Sequence, residues 1–306
     1  MNALTDRVCV ITGAGRGIGR EHALLFAAEG AKVVVNDLGG GPDGSGADAS
    51  PAQQVVDEIK AAGGEAVANG DDVSTWDGAE RLIAQAVDTY GDLHVLVNNA
   101  GILRDRMLVN MSEPEWDAIM KVHLKGHFCP TRIAAGYWRE QSKAGRTGAR
   151  SVINTSSTSG LFGSAGQTNY GAAKSGIATF SIIANAELGR YGVRVNAIAP
   201  AAATRLTATV GAGEAAAEPG EWSMLDPGNV SPFVAYLATE NCPINGRAFF
   251  VMGGEIHLFH PWAIVDTLKK DGKWTIEELQ KEAGRLHEYA FDYGHPLGSM
   301  LFGGGS

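Results

Sequence analysis

A short apolar run, Val8–Ile11, passes without a break into Thr12-Gly13-Ala14-Gly15-Arg16-Gly17-Ile18-Gly19, and a stretch with helical apolar spacing, Ile18–Glu29, follows. Few arrangements suit such a segment. A strand must end in a tight turn whose glycines let the backbone approach a bulky group, and a helix must begin there with unpaired N–H groups facing the same point. Strand, glycine turn and helix in that order make an anion cradle, and the pyrophosphate of a dinucleotide is the ligand that suits it. On this reading Gly13, Gly15, Arg16, Gly17, Ile18 and Gly19 line the cofactor, although the spacing Gly13-x-x-x-Gly17-x-Gly19 is one residue longer than G-x-G-x-x-G.

The rest of the chain repeats the strand-to-helix step. Lys32–Val35, Ala66–Ala68, Val95–Val97, Val152–Ile153, Val193–Ile198 and Ala248–Val251 are apolar on successive residues, as expected of strands buried on both faces of a parallel sheet. Between them Ala52–Ala62, Trp76–Tyr90, Glu115–Arg139, Asn169–Arg190 and Val230–Ala238 have helical spacing, and several close near Gly30, Gly63, Gly91 or Gly192. The alternation predicts an α/β fold: a Rossmann-like, doubly wound, seven-stranded parallel sheet in a three-layer α/β/α sandwich, with its site at the carboxyl ends of the strands. One domain is expected over 1–255, and 256–306 is expected to form a C-terminal extension that covers the cleft or a subunit interface. Leu38–Pro51 reads as a mobile glycine-rich loop, Thr275–Tyr289 as a helix opened by a Thr275-x-x-Glu278 capping box, and Gly303–Gly305 as a frayed end.

Composition narrows the function classes. Among 306 residues the 41 glycines are twice the usual share of ~7%. A net charge of −9 with no basic run argues against a nucleic-acid or anionic-membrane partner. No segment approaches the ~18 apolar residues of a membrane span, and the N-terminus lacks the long apolar core of a signal peptide. Cys9, Cys129 and Cys242 are scattered in apolar segments and read as buried thiols, so a cytoplasmic protein is expected. His257-x-x-His260 has no third ligand at a recognisable spacing, and no metal is expected.

Two further groups carry chemistry. Asp37 ends the second strand about twenty residues after the turn, where a carboxylate accepts both ribose hydroxyls of an adenosine and repels a 2′-phosphate. This favours NAD over NADP, with Arg16 pulling the other way. Tyr170 and Lys174 stand four apart at the start of a predicted helix and so share one face. A neighbouring ammonium favours the phenolate and brings the phenol towards acid–base use near neutral pH. Ser157, thirteen residues upstream, is placed to hydrogen-bond the oxygen on which the tyrosine acts.

Together with Asn98-Asn99-Ala100-Gly101 and Asn196-x-x-x-Pro200, these motifs make residues ~5–255 resemble the short-chain dehydrogenases/reductases. The resemblance implies Tyr170 as general acid/base, Lys174 on the nicotinamide ribose and lowering the tyrosine pKa, and Ser157 polarising the carbonyl or carbinol. It also implies that Asn99, Ala100 and Gly101 lie along the cofactor, that Asp71, Asp72 and Val73 hold the adenine, and that Ala202, Ala203 and Thr204 meet the nicotinamide carboxamide. Two features depart from the family pattern. His123, in Val122-His123-Leu124-Lys125-Gly126, replaces the Asn of the proton relay and is a candidate for the same duty, and Pro200-Ala201 replaces Pro-Gly. The runs 33–40, 98–106 and 122–124 are similar to the NAD-using (3R)-hydroxyacyl-CoA dehydrogenase domains of peroxisomal multifunctional enzymes, a group that also oxidises 17β-hydroxysteroids. The implied reaction is oxidation of a secondary alcohol of an acyl-CoA or steroid by a homodimer or homotetramer, with Arg104 and Arg106 either meeting CoA phosphates or merely solvated. The alternatives are an NADPH-dependent 3-oxoacyl-ACP reductase and a catalytically silent nucleotide-binding scaffold.

Overall fold

A computed structural model describes residues 2–46, 50–204 and 222–286. Eight strands form one sheet in the order β3-β2-β1-β4-β5-β6-β7-β8. They are β1 (Val8–Thr12), β2 (Lys32–Asn36), β3 (Glu65–Asn69), β4 (Val95–Asn98), β5 (Arg150–Thr155), β6 (Val193–Pro200), β7 (Ala248–Met252) and β8 (Glu255–Leu258). The first seven run parallel, and β8 pairs antiparallel with β7, Val251 opposite Ile256. The expected seven-stranded sheet therefore gains an eighth strand. Glu255-Ile-His-Leu is mostly exposed at the sheet edge, so it needs no apolar run and shows none in the sequence.

The helices are α1 (Gly17–Ala28), α2 (Ser50–Ala61), α3 (Trp76–Tyr90), α4 (Glu113–Ile119), α5 (Gly126–Lys143), α6 (Thr158–Leu161), α7 (Thr168–Leu188), α8 (Ser231–Ala238) and α9 (Ile276–Glu282). Strand residues alternate between two cores. Cys9 and Ile11 face Phe26, Val56 and Leu237 from α1, α2 and α8, whereas Val8 and Val10 face Leu82, Ala134 and Trp138 from α3 and α5. Both faces are dry, which explains the unbroken apolar runs. The three cysteines are buried free thiols. A π turn, Met120–Lys125, links α4 to α5 where the sequence predicts one regular helix, and Ser112 and Glu115 close a capping box at its start.

The observed strands outrun the predicted ones at their carboxyl ends, by Thr12, Asn36, Asn69, Asn98 and Asn154-Thr155. These residues are polar yet buried, and Thr12, Asn36, Asn69, Asn98 and Asn154 are hydrogen-bonded through their side chains at the edge where sites form. Ser50 and Pro51, expected in the loop after β2, instead open α2, with Pro51 buried. The described part of that loop is not loose either. It folds on itself through Gly41 N–H to Ser45 O, and Leu103 N–H donates to Pro42 O at 3.0 Å.

The chain resolves into two compact units, Met1–Leu258 and Phe259–Ser306. Within the second, Thr275 and Glu278 form the expected capping box of α9, Lys270 pairs with Glu278 at 2.6 Å, and Arg285 pairs with Asp266 at 2.8 Å. Residues 287–289 of the predicted helix and Gly303–Gly305 lie outside the described residues.

Candidate active site

The strand order reverses between β1 and β4, and the loops leaving these two strands enclose the glycine turn. Gly13 has φ +63° and Gly17 φ +54°, in the left-handed region that glycine tolerates. A Cβ on Gly19 would stand 2.2 Å from Gly13 O, and one on Gly13 would stand 2.7 Å from Ala100 Cα. Thus Gly19 seats the helix on the turn and Gly13 seats the turn on the β4 loop. Gly17 is different: a Cβ there would meet only Thr204, at 3.5 Å, so its face is open. Arg16 is exposed at the N-cap with no capping hydrogen bond, and Ile18 is partly buried behind it. The first turn of α1 also lacks an acidic residue, which leaves its N–H groups free of side-chain acceptors. This open, uncapped cradle fits a dinucleotide pyrophosphate.

Asn99 clamps the turn from the side, its Nδ2 donating to Thr12 O and Gly13 O at 3.1 Å each. Thr12 Oγ1 accepts the N–H groups of Asn99 and Ala100 at 3.0 and 3.1 Å. Asp37 accepts Gly15 N–H at 2.8 Å and Gly39 N–H at 2.7 Å, so its carboxylate is held at the rim of the turn. The next acidic pair is held by an amide ladder. Asn36 Nδ2 donates to Asn69 Oδ1 and Asp71 O, and Asn69 donates to Asp71 Oδ2 at 2.9 Å. Asp71 also pairs with Arg81, and Asp72 accepts Ser74 N–H and lies 3.3 Å from Lys121 Nζ. Despite a desolvation cost, the Ser74 and Lys121 bonds hold the Asp72 carboxyl below its usual range. Val73 is buried in the core. Past β6, Ala202 is buried, Ala203 N–H donates to Leu225 O at 2.7 Å, and Thr204 stands over Gly17.

Tyr170 and Lys174 lie on the first turns of α7, and Ser157 lies at the N-cap of α6. The two helices cross closely because of two glycines: a Cβ on Gly160 would fall 2.5 Å from Ser175 N, and one on Gly171 would fall 3.0 Å from Ser159 O. That crossing sets the Ser157 hydroxyl beside the Tyr170 phenol, where it favours the phenolate. Asn169, fully buried, pins the start of α7 by donating to Arg104 O and Glu115 O and accepting Tyr170 N–H at 2.7 Å. Lys174 Nζ donates to Thr155 O at 2.6 Å and sits 5.5 Å from the centre of the Tyr170 ring. Gly160, Gly171 and Asn169 escaped the sequence reading, and only their closeness to the Tyr/Lys pair marked them there.

The balance of pKa effects differs from the sequence expectation. Burial pushes Tyr170 up to about 12, and the Ser157 hydrogen bond opposes the rise. Burial also pushes Lys174 down to about 7, so its ammonium does not depress the phenol as expected. The cost of charging either group in this dry corner exceeds the attraction between them.

His123, on the π turn, is buried with its ring edge-on to Tyr170 at 5.1 Å between centres. A Cβ on Gly101 would stand 2.6 Å from His123 Cε1, so only glycine admits the ring there. Its Nε2 lies 2.7 Å from Ile102 O and 3.1 Å from Ile102 N, while the buried Nδ1 has no partner. Burial, followed by the Lys174 charge, holds the ring neutral, well below the usual histidine value. Arg104 donates to Asp43 O and Arg106 pairs with Glu115 at 3.1 Å. Among the described residues no cluster of three His, Cys, Asp or Glu could hold a metal, and no helix is long and apolar enough to cross a membrane.

A profile of the short chain dehydrogenase family matches residues 7–215, a span that contains the glycine turn, Asn99, Ser157, Tyr170 and Lys174. The chain belongs to the short-chain dehydrogenase/reductase family. A short chain dehydrogenase from Mycobacterium avium has a crystal structure to which this one is similar with a TM-score of 0.85 and 52% identity, over 95% of this chain and 97% of that one. The hydroxyacyl-CoA dehydrogenase ChsB1 of Mycobacterium tuberculosis is 44% identical over 94% of this chain and 92% of its own length. The peroxisomal multifunctional enzyme type 2 of Drosophila melanogaster is 48% identical over 90% of this chain, which spans 44% of that enzyme. This dehydrogenase is therefore an oxidoreductase of the family that uses a nicotinamide cofactor.

Proposed function

We propose that this chain is an NAD-dependent dehydrogenase that oxidises the β-hydroxyl of a 3-hydroxyacyl-CoA, fatty or steroid side-chain, with hydroxysteroids as the neighbouring substrate class. The observation that carries the reaction type is the Ser157–Tyr170 hydroxyl pair, set beside Lys174 and the glycine turn. Asp37 supports NAD: its carboxylate, fixed by two backbone N–H groups at the rim of the turn, would repel a 2′-phosphate. Similarity to a hydroxyacyl-CoA dehydrogenase over nearly the full length of both chains supports the substrate class. So does the exposed apolar stretch Met107–Val109, which follows directly on the loop stitched to Gly166.

In this reading Ser157 and Tyr170 hold the alcohol oxygen between their hydroxyls, and Tyr170 as phenolate takes its proton. A bound nicotinamide supplies the acceptor for the hydride that leaves the carbinol carbon. In the reverse direction the phenol, kept protonated by burial, donates to the nascent alkoxide. Lys174 holds the nicotinamide ribose and passes the proton onward. The Nδ1 of neutral His123, without a partner, takes the place of the family's relay Asn by hydrogen-bonding a water next to Lys174 and Tyr170. Asn99, Ala100 and Gly101 flank the cofactor, Asp71, Asp72 and Val73 frame the adenine, and Ala202, Ala203 and Thr204 meet the carboxamide. Phe128 on α5 and Ile182 and Ile183 on α7, exposed apolar side chains, support assembly with further copies of the chain.

The reading is tested by kcat/KM for 3-hydroxyacyl-CoAs of graded chain length and for hydroxysteroids, each with NAD and with NADP. NAD-dependent turnover of the CoA esters is expected. Faster turnover with NADP would remove the cofactor half, and activity confined to carrier-protein thioesters with NADPH would replace the reading with the reductase.

A further inference from the structure

Asp105 lies on the loop between β4 and α4 and faces the catalytic corner through a chain of side chains. Its Oδ2 accepts Gln167 Nε2 at 2.7 Å, Gln167 Oε1 accepts Ser159 Oγ at 2.6 Å, and Ser159 N–H donates to Ser157 Oγ at 3.2 Å. The loops that carry the chain are bound to each other by backbone, Arg106 N–H donating to Gly166 O at 2.8 Å, with Arg106 bridging Gln167 in parallel register. The other carboxylate oxygen, Oδ1, is buried and has no partner. Neither neighbouring cation serves it, since Arg104 donates to Asp43 O and Arg106 pairs with Glu115.

A carboxylate that only fastened a loop would be expected to use both oxygens or face water, because an unsatisfied buried acceptor is costly. Here the cost is retained one hydrogen-bond chain away from Ser157 and within electrostatic reach of Tyr170. The groups facing Tyr170 are Lys174 from its own helix, His123 from the π turn, the Ser157 hydroxyl from α6 and Asp105 from the β4–α4 loop. His123 is neutral, and Asp105 is the carboxyl of the set, its pKa raised by burial against the opposing Gln167 hydrogen bond.

We propose that Asp105 is a positioning residue for this dehydrogenase: through Gln167 and Ser159 it orients the Ser157 hydroxyl. Its buried carboxylate, with Oδ1 unpartnered, also disfavours a second negative charge on Tyr170. The proposal rests on the alcohol–ketone reading of the Ser157–Tyr170 pair. Its two halves separate by mutation. Asp105→Asn keeps the size and an acceptor for Gln167 and removes the charge, whereas Gln167→Ala keeps the charge and cuts the link.

The test compares pH profiles of kcat/KM in the oxidative direction, together with tyrosinate absorbance titrations in which each protein is subtracted from its own Tyr170→Phe variant. For Asp105→Asn both the rising limb and the Tyr170 ionisation should move to lower pH by about half a unit, because an anion that disfavoured the phenolate is gone. Asp105→Glu should keep both near wild type. Gln167→Ala should lower kcat by about tenfold with KM little changed and the limb in place, as expected when a reacting hydroxyl loses its orientation. If Asp105→Asn left limb and ionisation where they are in the wild type, the charge role would fall, and an unchanged kcat in Gln167→Ala would remove the orienting role. Should the wild type oxidise no secondary alcohol, the functional reading would fail by itself, while the titration would still decide the part played by Asp105.

Discussion

The glycine turn and the Tyr170 corner are built from different materials. The turn is backbone: Gly13, Gly17 and Gly19 stand close together in sequence, and their task is to be missing side chains. The corner is side chains brought from four separated places, β4 loop, π turn, α6 and α7, and held by Asn169, Ser159 and Gln167. A site made of absent atoms can be read from a short motif, because its geometry is local. A site made of present atoms needs its supports, and these are scattered along the chain.

The largest expected effect breaks the corner and spares the turn. Tyr170→Phe should lower kcat by about a thousandfold or more, within the range for loss of a general acid/base, while dinucleotide affinity stays within a few-fold by calorimetry. The converse substitution is Gly19→Ala. Its Cβ would fall 2.2 Å from Gly13 O, so the turn must distort, and a loss of about a hundredfold in dinucleotide affinity is expected with a lowered melting temperature. An affinity equal to wild type would show that the turn tolerates side chains and that the contrast is wrong.

A smaller effect is expected at the rim. Asp37→Ala removes a charged acceptor at the ribose and should shift the NAD-to-NADP ratio of kcat/KM towards NADP by roughly tenfold. No change in that ratio would take Asp37 out of cofactor choice.

The last comparison asks whether the two regions unfold together. His22 on α1, beneath the turn, and His127 on α5, beside the corner, are both pushed down to about 3 by burial. Below the ordinary histidine value the unfolded chain binds protons that the folded chain refuses, so stability should fall as pH drops from about 6.5 towards 3. Each histidine should contribute about 1.4 kcal/mol per pH unit across that window. His22→Asn and His127→Asn should therefore flatten the urea midpoint against pH by equal amounts if the turn and the corner belong to one cooperative unit. Unequal flattening would mark them as separately unfolding.

Much of this could be read from the sequence, for reasons visible at single residues. The helix over Trp76–Tyr90 has the predicted bounds because Thr75 caps one end and Gly91, left-handed at φ +84°, closes the other. The strands were placed but cut short, since hydropathy stops at Ile11, Val35, Ala68 and Val97 while the hydrogen-bond ladder continues through Thr12, Asn36, Asn69 and Asn98. Strand β8 left no trace because an exposed edge makes no demand on hydropathy. The π turn left none either: Met120–Lys125 has ordinary helical residues, among which His123 is the buried one. Gln167 and Asp105, 62 residues apart, have no local pattern that links them.

By itself the sequence determined the alternation of strand and helix, the glycine turn, and the Tyr170–Lys174 spacing, because each depends on residues within one or two helical turns of each other. Tertiary structure alone decided the ionisation. Tyr170 beside Lys174 predicts a lowered phenol, yet burial raises it to about 12 and lowers the lysine to about 7, because the cost of a charge depends on what surrounds it in space. It also decided which carboxylate faces that phenol, and on which side His123 presents a nitrogen without a partner.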